Sequence, residues 1–227
     1  MKIFLIRHGE QLYPDDSQGR KLVSDLDAPL VDLGRKQLHD LGLEFQRQRQ
    51  SIDALYKSPV LRADDSGKIL AETMGIQNSF IINDLREVDP CSAVGITYAD
   101  LEKIGGDIYA HPYDQTQETL EHIVKRAGDA MHQILADSKN KGFSSIGIVS
   151  HGDTLSAFSW NLKHTELPSS YGEMRDSYYP QKAQAAEYLI SDTEPFELVA
   201  EGRIITTEAS QITVEGFRNQ AGKKRES

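Results

Sequence analysis

The sequence predicts an α/β fold with a mainly parallel central sheet, and three observations support this prediction. Short apolar runs alternate along the chain with longer amphipathic stretches, as strands alternate with helices in such folds. The first run, 3–6, is apolar at every position, which is typical of a strand buried on both faces. Two runs end directly in a His-Gly pair, at His8-Gly9 and at His151-Gly152. Because ligand sites in open α/β sheets lie at the carboxyl ends of strands, we expect the two histidines to meet there.

The first half of the chain gives three strands and two helices in order. Residues 11–29 are mostly polar and aperiodic and are predicted to form a loop. From Gly34, apolar residues recur every three or four positions and predict an amphipathic helix. A second strand is predicted at 52–56, a helix at Leu61–Met74, and a third strand at 80–82.

The second half begins with a stretch, 88–112, that has several glycines and no clear period, which favours a lid or wall over a site. The longest helix is predicted from Leu120 to about 140–142, followed by a strand at 146–149 and a further helix. The stretch 164–182 is polar and is given no element. Two late strands are predicted at 188–190 and 196–199, and a frayed tail is predicted at 218–227.

Composition narrows the classes of protein that fit. The 227 residues are predicted to form a single domain over 1–227, and no apolar run is long enough for a membrane span or a signal peptide. We therefore expect a cytoplasmic protein without a membrane partner. The single cysteine, Cys91, excludes an internal disulfide. The formal charge of -10 disfavours nucleic acid as a partner, because the chain repels polyphosphate on average. The oligomeric state is left open.

Two arginines accompany the predicted site. Arg7 directly precedes His8, and Arg62 lies near the start of the second helix. A guanidinium presents a planar fork that suits phosphate or carboxylate oxygens. In a chain this acidic, these arginines would form a local positive pocket, which fits phosphoryl chemistry better than hydride or acyl transfer.

At these residues the chain resembles a known family. Arg7-His8-Gly9-Glu10 resembles the signature of the histidine phosphatases, the superfamily that contains the cofactor-dependent phosphoglycerate mutases. Three further stretches resemble it in order, with spacing that fits from residue 3 to about 165: Asp27-Ala28-Pro29-Leu30 with Leu33-Gly34-Arg35-Lys36-Gln37, Ser58-Pro59 with Arg62-Ala63, and Ser150-His151-Gly152. The resemblance implies a three-layer α/β/α architecture, phosphoglycerate mutase-like, with the mainly parallel sheet at its centre.

The resemblance also implies roles for five residues. His8 would be the nucleophile that becomes phosphorylated, and Arg7, Arg62 and His151 would bind the phosphoryl oxygens. The family's acid is usually a Glu in a short Leu-x-Glu stretch after the third strand, and Glu87 occupies that place. Attack on phosphorus requires the same types of residue. An attacking imidazole needs one unprotonated nitrogen while the other donates to a carbonyl. One carboxyl group can protonate the leaving oxygen and then activate water.

Four further residues are predicted to contact substrate. Gly9 and Gly152 lack a Cβ and so allow the backbone to approach an anion closely. Where the family often has a small polar residue and an Asn after the first motif, this chain has Gln11-Leu12-Tyr13-Pro14. Gln11 and Tyr13 are the substitutes that the sequence offers for that contact.

Two acidic residues are placed near helix starts. Val31 replaces the hydroxyl that usually precedes the family's first helix, which leaves Asp32 as a candidate cap. Glu118 resembles a family Glu-Ser element beside the site, but a carboxylate that favours the helix dipole is the preferred interpretation.

The leading hypothesis is a phosphatase that hydrolyses phosphate monoesters of a small molecule or phosphopeptide through a phosphohistidine, without cofactor or metal. A phosphoglycerate mutase is the nearest alternative, and a regulator that binds phosphate without turnover is a further one. A metal hydrolase using His8, His151 and Asp153 is disfavoured, since no cluster has ligand spacing and Arg7 would repel a cation.

Overall fold

The computed structural model describes residues 1–15, 17–19, 22, 28–88, 97–112, 115 and 117–212. Its described strands form one six-stranded sheet of order β3-β2-β4-β1-β5-β6. The strands are β1 (Lys2–Arg7), β2 (Ala54–Lys57), β3 (Asn78–Ile81), β4 (Ser145–Ser150), β5 (Ala185–Ile190) and β6 (Leu198–Ile205). The four strands β3, β2, β4 and β1 run parallel, whereas β5 is antiparallel to β1 and β6 is antiparallel to β5. The prediction of a mainly parallel sheet is therefore confirmed.

Helices cover both faces of this sheet. They are α1 (Asp32–Arg47), α2 (Leu61–Met74), α3 (Tyr98–Lys103), α4 (Leu120–Asn140), α5 (Gly152–Lys163) and α6 (Tyr171–Ser177). The predicted bounds of α2 agree with the structure, and α4 is the longest described helix, as the spacing of its apolar residues predicts.

The strand β1 shows why the molecule has three layers. Ile3 and Leu5 point into an apolar cluster beneath α4, α5 and α6, and Phe4 and Ile6 point into the cluster beneath α1 and α2. All four side chains are at most 1% exposed. Both faces of the strand are thus buried, which explains its unbroken apolar run and confirms the α/β/α architecture.

Two short helices were not predicted. The helix α3 lies in the stretch treated as aperiodic, and Thr97 starts it with a capping box in which Thr97 Oγ1 and Asp100 each receive the other's backbone N–H. The helix α6 lies in the polar stretch 164–182, and Ser170 caps it by accepting from the N–H of Glu173. Helices of six and seven residues are too short to show a period. The Thr-x-x-Asp and Ser-x-x-Glu spacings are the signals that would have found them.

Some predicted boundaries were wrong. The third strand begins at Asn78 and not at residue 80, and β6 covers Leu198–Ile205 and not 196–199. The apolar pattern misplaced β6 because that strand is mostly exposed, whereas Phe196 is buried outside it. Asp32 does not cap α1, since it is the first helical residue and Val31 holds the cap position without a side-chain hydrogen bond. The predictions for Asp27, Cys91 and the tail 218–227 concern residues outside the described ones.

The strand register brings distant segments to one edge of the sheet. Arg7 pairs with Ser150 between β1 and β4, and Lys57 pairs with Val149 between β2 and β4, so three strands end side by side. Because β5 runs the opposite way, its first residue, Ala185, lies at this same edge. Within the described residues, no helix combines the length and the apolar character that crossing a bilayer requires.

Candidate active site

The residues that follow the three parallel strands meet at this edge. The N–H of His8 donates to the carbonyl of Ser150 at 3.0 Å, and the N–H of Ser58 donates to the carbonyl of Val149 at 3.0 Å. These bonds extend the sheet by one residue and fix the backbone beneath each side chain. The rings of His8 and His151 lie with their centroids 5.1 Å apart. The structure therefore brings together the two histidines that the sequence predicted to meet.

The tautomer of His8 is set by its own chain. The nitrogen Nδ1 lies 2.7 Å from the carbonyl oxygen of Gly9 and donates to it, because a carbonyl can only accept. A neutral ring then carries its lone pair on Nε2. Arg62 donates from Nε to that nitrogen at 3.3 Å. Burial, followed by the charges of Lys182 and Arg62, lowers the pKa of His8 well below its usual value. The free imidazole is thus unprotonated at Nε2, as a nucleophile must be.

A lysine that the sequence did not point to lies against the same atom. The Nζ of Lys182 is 3.4 Å from Nε2 of His8, and the residue is only 6% exposed. Lys182 precedes β5, and the antiparallel direction of β5 turns this segment toward the end of β1. Nothing local in the sequence marks it, since it closes a polar stretch that has no period.

The second histidine is held by a hydroxyl. Ser58 Oγ lies 2.9 Å from His151 Nε2 and also accepts the N–H of Val60. A hydroxyl that accepts at one lone pair can still donate its proton, so Ser58 can donate to Nε2. With Ser58 as the donor, the proton of the neutral ring lies on Nδ1, which is buried and has no hydrogen-bond partner among the described residues. Burial, then the charge of Arg62, lowers the pKa of His151 well below its usual value and keeps the ring neutral.

Arg7 is anchored by the segment that precedes β5. Its Nη1 donates to the carbonyl of Pro180 at 2.8 Å, and its guanidinium lies 5.1 Å from the ring centroid of Tyr179. A stacked and hydrogen-bonded guanidinium keeps its orientation. Arg7 and Arg62 both lower the pKa of His8, so their charges converge on that ring.

Glu87 lies beside this cationic cluster. Its carboxylate accepts the N–H of Val88 at 3.0 Å. Burial, followed by the nearby carboxylate of Asp153, raises the pKa of Glu87, whereas the charges of Arg62 and Arg7 oppose this shift. A raised pKa keeps a carboxyl group protonated closer to neutral pH, which suits a proton donor.

The segment that carries Glu87 is clamped by α4 and α5. Arg126 donates from Nη1 to the carbonyls of Asp84 and Arg86 at 2.6 and 3.0 Å, and Thr154 donates to the second of these at 2.7 Å. Glu118 holds the same guanidinium through two bonds of 2.7 and 2.8 Å. Glu118 directly precedes the cap residue of α4, Thr119, and its buried ion pair with Arg126 is a contact that the interpretation as a helix-dipole carboxylate did not include.

A tyrosine wall borders the site. Asp153 accepts hydrogen bonds from the hydroxyls of Tyr171 at 2.7 Å and Tyr109 at 3.3 Å. The guanidinium of Arg175 lies 4.0 Å from the ring centroid of Tyr179. Tyr109 comes from the stretch 88–112 and the other two tyrosines from 164–182. The stretches 88–112 and 164–182, in which the sequence predicts no helix or strand, thus supply the groups around Asp153.

The predicted substrate-contact residues have structural partners of their own. A Cβ on Gly9 would lie 2.5 Å from the carbonyl oxygen of Gly34, and one on Gly152 would lie 2.5 Å from the hydroxyl of Tyr179. Neither position can therefore accept a side chain without movement of its neighbour. Gln11 and Tyr13 are both buried, and the Tyr13 ring centroid lies 5.8 Å from Nζ of Lys182. Substrate contact by these four residues stays a prediction.

Metal ligands are not assembled in the described part of the chain, where no three His, Cys, Asp or Glu side chains are placed to share an ion. His8, His151 and Asp153 therefore do not form a metal centre with one another.

Comparison with known proteins finds a similar sequence and similar folds. The chain is 28% identical over 162 residues to phosphoglycerate mutase-like protein 4 of Arabidopsis thaliana, a match that covers 68% of this chain and 67% of that protein. Its fold is similar to that of a mycobacterial glucosyl-3-phosphoglycerate phosphatase, with a TM-score of 0.68, 18% identity, and coverage of 90% of this chain and 97% of the other. A phosphoserine phosphatase variant from Entamoeba histolytica in complex with phosphoserine matches with a TM-score of 0.63, 18% identity, and coverage of 88% and 95%.

The family comparison covers the residues that form the site. The model of the histidine phosphatase superfamily, branch 1, matches residues 3–173, which include both histidines, both arginines and Glu87. With its three-layer fold and two adjacent histidines at the strand ends, this chain belongs to the histidine phosphatase superfamily.

Proposed function

We propose that this protein is a phosphatase that hydrolyses phosphate monoesters through a phosphohistidine at His8, without a metal or cofactor. The observation that carries the proposal is the state of His8. Its Nδ1 proton is engaged by the carbonyl of Gly9, and its unprotonated Nε2 faces Arg62. A neutral, oriented imidazole among cations is what attack on an anionic phosphorus requires.

In the first step, Nε2 of His8 attacks phosphorus and the bond from phosphorus to the ester oxygen breaks. Arg7, Arg62 and the Nδ1–H of His151 donate to the phosphoryl oxygens and stabilise the charge there. The proton of Glu87 passes to the leaving oxygen, so that the product departs as an alcohol.

In the second step, the Glu87 carboxylate takes a proton from water as that water attacks the phosphorus. The bond from phosphorus to Nε2 breaks, and inorganic phosphate leaves with His8 neutral again. One carboxyl group thus acts as acid and then as base, and the enzyme returns to its starting protonation state.

The substrate class is a phosphorylated small molecule or phosphopeptide. The relatives described above act on, or bind, phosphoserine and glucosyl-3-phosphoglycerate, and both compounds carry a phosphate ester. The tyrosine wall of this chain, with Arg175, borders Asp153 beside Glu87 and would face the alcohol part of the substrate.

A phosphoglycerate mutase is the second candidate, because the similar Arabidopsis protein is named as mutase-like. A mutase must hold a bisphosphorylated intermediate while it turns and must keep water away. This chain has Gln11-Leu12-Tyr13-Pro14 where the family often has a polar pair, and its net charge is -10. Both features favour water as the acceptor.

The test is a panel of phosphorylated metabolites and phosphopeptides assayed for released phosphate, combined with trapping of the adduct on the enzyme. The adduct should be acid-labile and base-stable and should be absent from His8→Ala. The matched control is His39→Ala, because His39 is an exposed histidine on α1 and should leave both readouts unchanged.

Two results would reject the proposal. A phosphoserine or phosphocysteine adduct would remove His8 as nucleophile. Rapid conversion of 3-phosphoglycerate to 2-phosphoglycerate in the presence of 2,3-bisphosphoglycerate, faster than phosphate release from any ester, would assign the mutase activity instead.

A further inference from the structure

We propose that Lys182 is a phosphoryl-binding residue whose ammonium group donates a hydrogen bond to an oxygen of the phosphoryl group on His8. This inference rests on the proposed function, since it concerns the same site, and it adds a third cationic side chain to the two arginines that the family resemblance implies.

The first support is the position of the ammonium group. Lys182 Nζ and Arg62 Nε lie 3.4 and 3.3 Å from the same nitrogen, Nε2 of His8. A phosphorus bonded to that nitrogen would carry its oxygens outward among these donors. Hydrogen bonds to such oxygens have lengths of about 2.7–3.1 Å, which donors this close to the nucleophile can reach with small rotations.

The second support is the way the backbone delivers this side chain. Ala183 has a φ of 51°, in the left-handed region that residues with a Cβ avoid. Its N–H donates to the carbonyl of His8 at 3.2 Å, which ties the turn to the nucleophile. A strained turn whose neighbouring side chain points at the nucleophile is a feature typical of functional sites.

The third support is electrostatic. Lys182 is buried, and among the described residues no carboxylate lies within ion-pair distance of its Nζ. Glu10 and Glu87 act on it from farther away, whereas Arg7 and Arg62 repel it. Burial, then the charge of Arg7, lowers the pKa of Lys182 well below its usual value. A phosphoryl dianion supplies the missing negative charge, so the lysine is costly in the free protein and useful in the complex.

A purely structural role of Lys182 would have different consequences for its variants. The contact of Lys182 with the Tyr13 ring, 5.8 Å from its centroid, is a cation–π interaction that would stabilise the fold. If stability were its purpose, removal of the charge would lower the unfolding temperature and leave anion binding unchanged. If phosphoryl binding is its purpose, removal of the charge should weaken anion binding and relieve repulsion between buried cations.

The experiment compares the wild-type protein with Lys182→Met, which keeps an unbranched chain one atom shorter and removes the charge. Orthovanadate binding is measured by titration calorimetry, and kcat/KM is measured on the best ester of the panel. The matched control is Lys163→Met, because Lys163 is 15% exposed and pairs with Glu201 at 2.8 Å on β6. We expect Lys182→Met to bind orthovanadate about 10²-fold more weakly and to lose about 10²-fold in kcat/KM. Its unfolding temperature should equal or exceed that of the wild type.

The outcomes separate this inference from the proposed function. If the wild type hydrolyses no ester but binds orthovanadate, and Lys182→Met binds it more weakly, the proposed function fails and the role of Lys182 stands. If Lys182→Met binds orthovanadate as tightly as the wild type, the role of Lys182 is rejected whatever the activity. If the wild type binds no orthovanadate, the site holds no such oxyanion and this inference falls as well.

Discussion

At the scale of single residues, one hydrogen bond determines what His8 can do. Nδ1 donates to the carbonyl of the next residue, Gly9, so the lone pair lies on Nε2 whatever substrate arrives. The family resemblance names the nucleophile, and elementary chemistry demands an acceptor for its proton. The structure identifies that acceptor and adds Lys182 to the groups around Nε2.

The prediction at the scale of single residues concerns Glu87 as the proton donor. Glu87→Gln should lower kcat/KM by about 10² to 10⁴ on an alkyl phosphate and much less on a nitrophenyl phosphate, whose leaving group needs little protonation. The measurement is the ratio of the two losses. Glu121→Gln is the control, because Glu121 is an exposed glutamate in the first turn of α4 and should change neither rate. Equal losses on both esters would reject Glu87 as the proton donor and leave it a structural role.

At the scale of elements, the site depends on a segment that has almost no secondary structure of its own. Residues 84–87 comprise the end of a short 3-10 helix, Asn83–Leu85, and the two residues after it, and they are held by α4, β4 and α5 through side chains that donate to their carbonyls. Arg126 on α4 makes two of these bonds, and Glu118 fixes the guanidinium. The ion pair therefore holds the segment that carries Glu87.

This clamp predicts a separation of stability from activity. Arg126→Met should lower the free energy of unfolding by about 3–5 kcal/mol, because the buried Glu118 carboxylate loses its partner. The double variant Glu118→Gln with Arg126→Met should recover most of that stability by removing the charge. It should still lose about 10² in kcat/KM, because the carbonyls of Asp84 and Arg86 lack their donor and Glu87 is misplaced.

Chemical denaturation and steady-state kinetics measure the two effects. Lys125→Met is the control on the same helix, since its ion pair with Asp129 is exposed and should contribute less than about 1 kcal/mol. A folded double variant with the kcat/KM of the wild type would show that Glu118 and Arg126 do not position Glu87.

At the scale of the whole molecule, the two buried histidines at the strand ends lower the stability of the fold at acid pH. The pKa of His8 and that of His151 are both lowered by burial and by neighbouring cations. As pH falls, the unfolded chain binds protons at these histidines first, near its ordinary pKa of about 6.5. Stability from the buried neutral rings is therefore present above about pH 6.5 and is lost as pH falls through the folded pKa values.

A comparison of variants isolates the contribution of His8 to this pH dependence of stability. His8→Asn keeps a donor for the carbonyl of Gly9 and removes one titrating group. Relative to this variant, the wild type should lose free energy of unfolding below about pH 6.5, by up to about 1.4 kcal/mol per pH unit. Denaturation at several pH values from 7 to 5 measures the difference. His39→Asn, at an exposed histidine, is the control for the substitution itself. Parallel curves for wild type and His8→Asn would show that His8 is not held neutral by the fold.

The sequence by itself determined the features that local pattern encodes. Short apolar runs gave the parallel strands β1, β2 and β4, because each is buried on both faces, and the recurrence of apolar residues every three or four positions gave α1 and α4. The His-Gly pairs at two strand ends indicated that His8 and His151 meet, because parallel strands end at a common edge. The short helices α3 and α6 escaped and the exposed strand β6 was misplaced, because too few of their residues face the core.

Only the tertiary structure decided the contacts that join segments far apart in the chain. Lys182 reaches His8 across 174 positions because β5 runs antiparallel to β1, and no local pattern encodes that direction. Arg126 reaches the segment of Glu87 because α4 packs beside it, and only that packing shows Glu118 as an ion-pair partner. Strand direction and helix packing minimise the free energy of the whole chain. Residues that are brought together in this way therefore have no recognisable pattern in the sequence around them.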